Sequence, residues 1–328
     1  MTAIRAGLLG LGAMGRHHAR VLREIEGVDL VAVADPQGDS HGVAHGLPVL
    51  HSVEQLLDAG VDCAVLAIPI SLHVPTALAL VSAGVHILVE KPVSADAASA
   101  RALADAVEAA GVVGAVGHIE RFNPAVQQLR ERLADGAIGD IHQVATRRQG
   151  PFPARVADVG VVADLASHDI DIVSWVTGSA YASLTAQTAH RSGRQFEDLV
   201  AVTARLGSGV VVNHLVNWLS PMKERVVAVT GERGSLVADT LSGDLVLFRN
   251  GSIPLEWDAV SAFRGVTEGD VIRFAFPKRE PLRSELEAFR DAILGEPSTV
   301  VTVREGADIV TVVEAILDAA ARNEVVRL

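Results

Sequence analysis

The strongest constraint on the fold is the regular alternation of short apolar runs with helical segments over the first 120 residues. Four runs rich in β-branched residues are "LVAVAD", "CAVLAIP", "HILVEKP" and "VVGAVGH". They are separated by stretches of helical periodicity that each end at a glycine: "HHARVLREIEG", "VEQLLDAG", "VPTALALVSAG" and "ADAASARALADAVEAAG". Near-continuous apolar strands joined by helices predict an α/β domain whose parallel sheet is covered on both faces.

The pattern changes near residue 120, which predicts a second domain of different architecture. Longer alternating stretches, "IHQVATRRQ", "ASLTAQTAH", "LVAVTARL", "GVVVNHLVNWL" and "ERVVAVTG", predict a large, mainly antiparallel sheet. Helices are expected in "NPAVQQLRERLADG" and at about 163–177, 282–294 and 303–322. Because no low-complexity linker or repeat interrupts the chain, we expect domains at residues 1–120 and 121–328, joined near 118–124.

Composition narrows the class of protein. A chain of 328 residues with 49% hydrophobic content can bury a large core, and a net charge of −12 with a pI of about 5.4 argues against general binding to nucleic acid or to anionic membranes. Cys63 is the single cysteine and lies in an apolar run, which is typical of a buried thiol. No leader pattern or apolar stretch of about 20 residues is present, so we expect a soluble, cytoplasmic protein.

The first motif is "GLGAMG", which has G-x-G-x-x-G spacing between a predicted strand and a predicted helix. A tight glycine turn alone would explain the spacing, but Asp35 follows at the expected interval, at the end of "LVAVAD". Its carboxylate would accept hydrogen bonds from ribose hydroxyls and repel a 2′-phosphate, so the motif predicts NAD rather than NADP. The candidate cofactor contacts are Gly10, Gly12, Ala13, Met14, Gly15 and Asp35.

Two further loops follow strands beside the switch point of the predicted sheet. Pro69 and His73 come after "CAVLAI", and Glu90 and Lys91 end "HILVE" and begin the next loop. A turn and a helix start would account for Pro69 and His73, and a salt-bridged surface lysine is the usual role of a lysine. Parallel sheets bind ligands at this edge, however, so we expect these four residues near the cofactor. Pro92 restricts the backbone of Lys91 to extended conformations.

The second domain contributes "DVGVVADLASHDIDIVSWVTG", in which Asp164, His168 and Asp171 have helical i, i+4, i+7 spacing. Three interpretations fit this spacing. A capped helix explains Asp164 as an N-cap but leaves His168 unexplained. A zinc site lacks further clustered Cys or His ligands, so no metal is expected. An imidazole with an orienting carboxylate is typical of acid–base catalysis, and its pairing with Lys91 favours this interpretation.

With these motifs in order, the sequence resembles the glucose-fructose oxidoreductase, inositol dehydrogenase and rhizopine catabolism family over essentially its whole length. The matching motifs are "GLGAMG", "EKP" and D-x-x-x-H. The resemblance implies a Rossmann domain plus an open-faced sheet domain, homodimers or homotetramers formed through that sheet, and oxidation or reduction of a carbinol. It also implies that Lys91, Asp164 and His168 are catalytic and contact substrate. The stretches "GHIERFNPAV" and "GVVADLASHDIDI" resemble nucleotide-sugar members such as the UDP-N-acetylglucosamine 3-dehydrogenases; Ile70 departs from the Asn common in the family.

Basic residues give separate support for an anionic substrate, because they cluster in an otherwise acidic chain. Arginine suits bidentate capture of phosphate, although a solvated or intersubunit face explains such clusters equally well. Arg121 at the domain hinge fits either a substrate or a structural role. The clustered residues are Arg147, Arg148 and Arg155, then Arg191 and Arg194, then Lys223 and Arg225.

The chemistry explains why a lysine stands at position 91. Oxidising an alcohol requires a base, and a free lysine with a pKa of about 10.4 is protonated at neutral pH. Burial and a positive nicotinamide ring would lower its pKa toward about 7–8, whereas arginine stays above about 12. Lys91 and His168 therefore both remain candidates for the base, and Asp164 for the orienting group. The favoured function is an NAD-dependent sugar or nucleotide-sugar dehydrogenase; the alternatives are a myo-inositol or free-sugar dehydrogenase and a non-catalytic NAD sensor.

Overall fold

The computed structural model describes residues 3–153, 159–251 and 269–328, which form two units, each built on one sheet. The first unit comprises Met1–Phe122 and Glu280–Glu314. The second unit comprises Asn123–Arg279 and Ala315–Leu328. The chain therefore passes from one unit to the other close to the expected hinge, and a C-terminal segment returns to the first unit.

The first unit contains a six-stranded, entirely parallel sheet in the order β3-β2-β1-β4-β5-β6. Chain order reverses between β1 and β4, and this is the switch point at which such sheets bind ligands. The predicted α/β class is confirmed. The strands are β1 (Ile4–Leu9), β2 (Val28–Ala34), β3 (Val49–Leu50), β4 (Cys63–Leu66), β5 (His86–Glu90) and β6 (Gly114–Gly117).

Four helices connect these strands, and their bounds differ in part from the sequence expectation. The fourth ends at Gly111, which adopts a left-handed conformation with φ 66°, as the glycine pattern predicts. The third begins at Ile70, four residues before the predicted "VPTALALVSAG", because Pro69 already stands at the turn that opens the helix. The helices are α1 (Gly15–Glu24), α2 (Val53–Asp58), α3 (Ile70–Ser82) and α4 (Ala97–Ala110), followed by a 3₁₀ turn at Ile119–Phe122.

The C-terminal helix α7 (Pro281–Ile293) packs into the core of the first unit. Its apolar stripe of Leu282, Leu286 and Phe289 lies in the same buried cluster as Leu22 of α1. This i, i+4, i+7 stripe explains why the segment belongs to the first unit. The last helix, α8 (Val303–Arg322), contributes residues to both units. Among the described residues, none of the helices has the length and apolar character needed to cross a bilayer.

The second unit contains a nine-stranded sheet among the described residues, in the order β14-β13-β12-β11-β7-β10-β9-β8-β15. Only β7 and β10 pair in parallel; the other pairs are antiparallel, as predicted. The strands are β7 (Ile141–Pro151), β8 (Tyr181–Ala189), β9 (Leu199–Leu206), β10 (Val211–Asn217), β11 (Leu219–Gly231), β12 (Gly234–Asp239), β13 (Asp244–Arg249), β14 (Val271–Arg273) and β15 (Val326–Arg327).

One face of this sheet is covered by helix α5 (Pro124–Ala134) and by α6 (Ser167–Thr177), which follows a π-helical turn at Val162–Ala166. Period-two burial along the strands explains the arrangement: on β9, every second residue from Val200 to Leu206 is buried. The residues between them lie on the other face, which the described residues leave open for part of its area. The open face predicted by the family resemblance is therefore present.

Candidate active site

The glycine-rich loop after β1 has little room for side chains at two of its three glycines. Gly10 has φ +90°, and a Cβ there would clash with the carbonyl oxygen of Ala67. A Cβ on Gly15 would clash with the carbonyl oxygen of Gly10, so close packing of the turn requires both glycines. At Gly12 a Cβ would meet nothing within 4 Å, and the backbone there is exposed and accessible to a ligand.

Asp35 lies at the end of β2 and anchors this loop. Its Oδ2 accepts a hydrogen bond from the backbone N–H of Leu11 at 2.9 Å, and its Oδ1 accepts one from Gln37 at 2.8 Å. Each carboxylate oxygen has a second lone pair that can accept from a hydroxyl. Asp35 therefore fixes the loop and still presents a negative charge beside it.

The helices that begin at the switch point differ from their neighbours in capping. Helices α2 and α4 have side-chain N-caps, Ser52 and Asp96, which accept from Gln55 and Ser99. Helices α1 and α3 begin after Met14 and Pro69 with no side-chain cap. Uncapped N–H groups and the positive end of the helix dipole suit an anionic ligand, so the residues present fit the pyrophosphate of NAD.

Lys91 follows the last residue of β5, and Glu90 before it is bonded inside the first unit. Glu90 Oε1 lies 2.7 Å from Nε2 of His18, a fully buried residue of α1, and its Oε2 accepts from the Lys91 N–H at 3.3 Å. Burial would raise the pKa of Glu90, but the bond and charge of His18 and the charge of Lys91 hold this pKa below its usual value. Glu90 is therefore a charged anchor for the strand end.

The other neighbour of Lys91 is bonded to His73. The Lys91–Pro92 peptide bond is cis, and the Pro92 carbonyl oxygen lies 2.9 Å from His73 Nδ1. His73 Nε2 lies 2.9 Å from the carbonyl oxygen of Ile68. Burial lowers the pKa of His73, although these backbone bonds oppose the shift. Both ring nitrogens are thus engaged by the protein, so the contact of His73 with cofactor stays a prediction and its link to the Lys91 loop is the observed contact.

Arg121 lies in the 3₁₀ turn and is buried. Its Nη1 donates to Glu305 Oε1 of α8 at 3.0 Å within the first unit. Arg121 holds the pKa of Glu305 below its usual value against the opposing effect of burial. This ion pair fits the structural role that the sequence left open for Arg121. Nothing in the sequence identifies Glu305 as its partner.

In the second unit, Asp164 lies inside the π-helical turn, and His168 and Asp171 lie on α6. The structure does not support the N-cap interpretation of Asp164, because the turn begins at Val162 and has no side-chain cap bond. All three side chains are largely buried. Such π-helical turns are rare in proteins, and those that occur are often at functional sites, which supports the catalytic interpretation.

A buried polar chain connects the sheet to α6. Arg148 Nε donates to Asp169 Oδ1 at 2.8 Å, and Thr146 Oγ1 donates to Asp169 Oδ2 at 3.0 Å. His214 Nδ1 lies 2.7 Å from Thr146 Oγ1, and its Nε2 lies 2.8 Å from the Tyr181 hydroxyl. Because Thr146 gives its proton to Asp169, His214 donates through Nδ1; when the ring is neutral, its Nε2 then accepts from Tyr181.

The pKa values agree with this directional chain. Burial lowers the pKa of His214 to about 4 and raises that of Tyr181 well above its usual value. Asp169, one residue from His168, is thereby fixed on the sheet side of α6. The sequence motifs gave no sign of this chain, because its members come from four separate elements.

The predicted phosphate-binding arginines have different environments. Arg148 is 2% exposed and paired with Asp169, whereas Arg147 is 57% exposed and paired with Glu224 at 2.7 Å. Arg155 lies outside the described residues. Arg194 lies over the ring of Phe152. Among the described residues, no group of three or more His, Cys, Asp or Glu side chains could hold a metal ion.

Two family models match the two parts of the chain. The model described as oxidoreductase family, NAD-binding Rossmann fold, matches residues 4–118. The model of the GFO/IDH/MocA C-terminal domain matches residues 126–237. The matches meet near the point where the chain passes between the two units, and they identify the first sheet as that of an NAD-binding domain.

Named relatives and solved structures agree with these matches. UDP-N-acetylglucosamine 3-dehydrogenase from Acidithiobacillus ferrooxidans is 29% identical over 89% of this chain and 90% of its own. Its solved structure has a TM-score of 0.85 at 26% identity, covering 98% and 99% of the two chains. Inositol 2-dehydrogenase 4 from Saccharopolyspora erythraea is 32% identical over 65% of this chain and 67% of its own. GenD2 from gentamicin A biosynthesis, solved with NAD, has a TM-score of 0.82 at 27% identity, covering 100% and 97%.

Proposed function

Because the chain belongs to the GFO/IDH/MocA family of oxidoreductases, we propose that it is an NAD-dependent dehydrogenase acting on a secondary carbinol of a sugar. The preferred substrate class is a nucleotide sugar, which the likeness to UDP-N-acetylglucosamine 3-dehydrogenase over nearly the whole chain supports. The observation that carries the proposal is Lys91 at the end of β5, one strand from the switch point, in a chain that also has Asp164 and His168 on one helical segment.

Oxidation of the carbinol requires the transfer of a hydride and of a proton. Bound NAD supplies the acceptor for the hydride. Lys91 takes the hydroxyl proton as the carbinol is oxidised, with His168 hydrogen-bonded to the reacting or neighbouring hydroxyl and able to share this role. Asp164 orients the substrate or the imidazole of His168. In the reverse direction the same groups return the proton.

Cofactor binding belongs to the first unit. The N–H groups at the starts of α1 and α3 bind the pyrophosphate, and the backbone at Gly12 allows its close approach. Asp35 accepts hydrogen bonds from the adenosine ribose and disfavours NADP. The contacts assigned to Ala13, Met14, Pro69, His73 and Glu90 are part of this proposal.

Substrate recognition and assembly belong to the second unit. We assign a substrate contact to Arg155 as well as to the catalytic residues. The pairing of Arg121 with Glu305 and the buried pairing of Arg148 with Asp169 favour indirect contributions from these two arginines. The open sheet face has a depression of about 400 Å³ lined by β7 to β10, including the exposed Leu215. A homodimer or homotetramer formed through this face would cover it. The chain has a single cysteine, Cys63, and so forms no disulfide within itself, which fits the cytoplasmic location that we propose.

Thermal-shift screening tests this function directly. UDP-sugars, free sugars and inositols are each added with NAD⁺, since a ligand that binds the native state stabilises it by mass action. NADH fluorescence then follows turnover of each stabilising compound. We expect the largest shift and turnover with a UDP-sugar. Turnover only with an inositol would favour the activity of the Saccharopolyspora relative, and NAD binding without turnover of any carbinol would reduce the protein to an NAD sensor.

A further inference from the structure

The residues on both sides of Lys91 are each bonded to a buried histidine. On one side His18 pairs with the Glu90 carboxylate at 2.7 Å, and on the other His73 bonds the Pro92 carbonyl at 2.9 Å. The exposed fractions of these two histidines are 0% and 1%. Lys91 is thus the residue between two anchored neighbours.

Each histidine also belongs to a helix that starts at a proposed cofactor loop. His18 lies in the first turns of α1, three residues after Gly15. His73 lies in the first turn of α3, and its second nitrogen bonds the carbonyl of Ile68 just before that helix. The chain on either side of Lys91 is therefore bonded to the two helices that begin at the loops that would hold the pyrophosphate.

These bonds are costly to lose because both histidines are buried and their partners are half-buried. Glu90 is 15% exposed, and a Cβ at Gly117 would lie only 3.2 Å from its Oε2, so the carboxylate has little freedom to move. Removing His18 would leave this charge without its imidazole partner. Removing His73 would leave the Pro92 or the Ile68 carbonyl oxygen without the one N–H that a neutral ring donates.

We infer that His18 and His73 are positioning residues that hold the backbone on either side of Lys91 in register with the two cofactor loops. This inference rests on the proposed function, since Lys91 must act on substrate for its position to matter. The histidines touch neither substrate nor reacting atoms; they act through Glu90 and Pro92.

Paired variants test the inference. His18→Leu removes the partner of Glu90, whereas the amide of His18→Gln can still donate to it; His73→Phe keeps a ring without donors, whereas His73→Asn keeps one donor. His86→Leu and His86→Gln are matched controls, because His86 lies on β5, the strand that ends at Glu90, and its Nδ1 accepts from the Val113 N–H at 2.8 Å. We expect kcat to fall about 10²-fold in His18→Leu and His73→Phe, the loss typical of a displaced catalytic group. The NAD affinity of His18→Leu should change only a few-fold, and His18→Gln should recover most of the kcat.

A second measurement needs no substrate. The chain has three lysines, so mass spectrometry after pulsed amine acetylation at a series of pH values follows each one separately. Lys278, which bonds Asp244 at 2.6 Å in the second unit, and Lys223 are internal references. The pH profile of Lys91 labelling should change in His18→Leu and His73→Phe, while both references and the His86 variants keep the wild-type profile.

The outcomes separate this inference from the proposed function. Lys91 labelling and kcat that match those of the His86 controls would overturn the inference even in an active enzyme. Absence of NAD-dependent turnover in the wild type would overturn the proposed function, and the labelling would still decide whether the histidines control Lys91. If the Leu and Phe variants do not fold, His73→Asn carries the test: we expect a smaller but selective change at Lys91, and an unchanged profile would overturn the inference.

Discussion

The two units hold their candidate reactive side chains by different means. In the first unit, the residues on either side of Lys91 contact two buried imidazoles: His18 pairs with the Glu90 carboxylate, and His73 lies between two backbone carbonyl oxygens. In the second unit, His168 lies on a helix that is fixed to the sheet by the buried Arg148–Asp169 ion pair. The first arrangement anchors a loop to other loops, and the second anchors a helix to strands beneath it.

This difference has an energetic consequence. Loop anchors can fail locally while the parallel sheet stays folded, because β5 is held by its strand neighbours on both sides. The anchors of α6 are part of the interior of the second unit, and removing one charge of a buried pair leaves the other charge buried without its partner. We therefore expect variants of the candidate residues in the first unit to reduce mainly activity. Variants of those in the second unit should reduce activity and stability together.

Lys91→Met should separate activity from stability most sharply. The variant keeps much of the side-chain stem but removes the amine, so kcat should fall by about 10²–10⁴. NAD affinity and the unfolding midpoint should remain close to wild type. The rise of the wild-type oxidation rate with pH should be lost or shifted, because the variant lacks the proposed base. Near-normal turnover with an unchanged profile would make Lys91 an ordinary surface lysine.

Arg148→Met against Arg147→Met tests the second half of the comparison. The two arginines are adjacent on β7 but point to opposite faces, one buried against Asp169 and the other exposed beside Glu224. Losing the buried partner should cost about 3–5 kcal/mol of unfolding free energy, and losing the exposed one about 0–1 kcal/mol. Urea unfolding measures both. Equal effects would show that the ion pair is no more important to α6 than a surface contact.

The motifs of the first unit were predictable because their spacing is local. Glycines at fixed intervals, a strand end and an acidic residue one strand later all lie within contiguous sequence, so position in the chain predicts position at the sheet edge. The same reasoning made Asp164 and His168 candidates, because they share one helical segment. It did not predict the π-helical turn, because a local change of helical period leaves no signature in residue spacing.

The partners of these residues were not predictable, because they come together only through strand pairing and packing. Thr146 and His214 meet because β7 and β10 pair in parallel with these two residues in register. Arg148 seemed a phosphate ligand from its neighbours in sequence, whereas period-two alternation on β7 turns it toward α6 and Arg147 toward solvent. The return of α7 to the first unit likewise depends on an apolar stripe whose partner is 260 residues earlier.

Acid should weaken the second unit through His214. Its folded pKa of about 4 lies below the ordinary value of about 6.5. The contribution of neutral His214 to the unfolding free energy is therefore complete above pH 6.5 and is lost as pH falls toward 4. A shift of this size corresponds to about 3 kcal/mol. His214→Gln cannot titrate, and its unfolding free energy should fall less steeply between these pH values, with His142→Gln on the exposed surface of β7 as the control. Parallel curves for His214→Gln and wild type would contradict the neutral, directional chain.

The smallest expected effect concerns the choice of cofactor in the first unit. Asp35 both anchors the glycine loop through Leu11 and presents its charge to the ribose, so one substitution cannot separate the two roles. Asp35→Asn keeps an oxygen for the Leu11 N–H but removes the charge; Asp35→Ser shortens the side chain as well. NAD should bind about tenfold more weakly to Asp35→Ser, in line with a lost charged hydrogen bond, and less weakly to Asp35→Asn. Both variants should have a smaller difference in affinity between NAD and NADP, because the repulsion of the 2′-phosphate disappears in each. Titration of both cofactors by fluorescence measures these ratios. A wild-type protein that already prefers NADPH would show that the charge of Asp35 does not select the cofactor and that its role is to hold the loop.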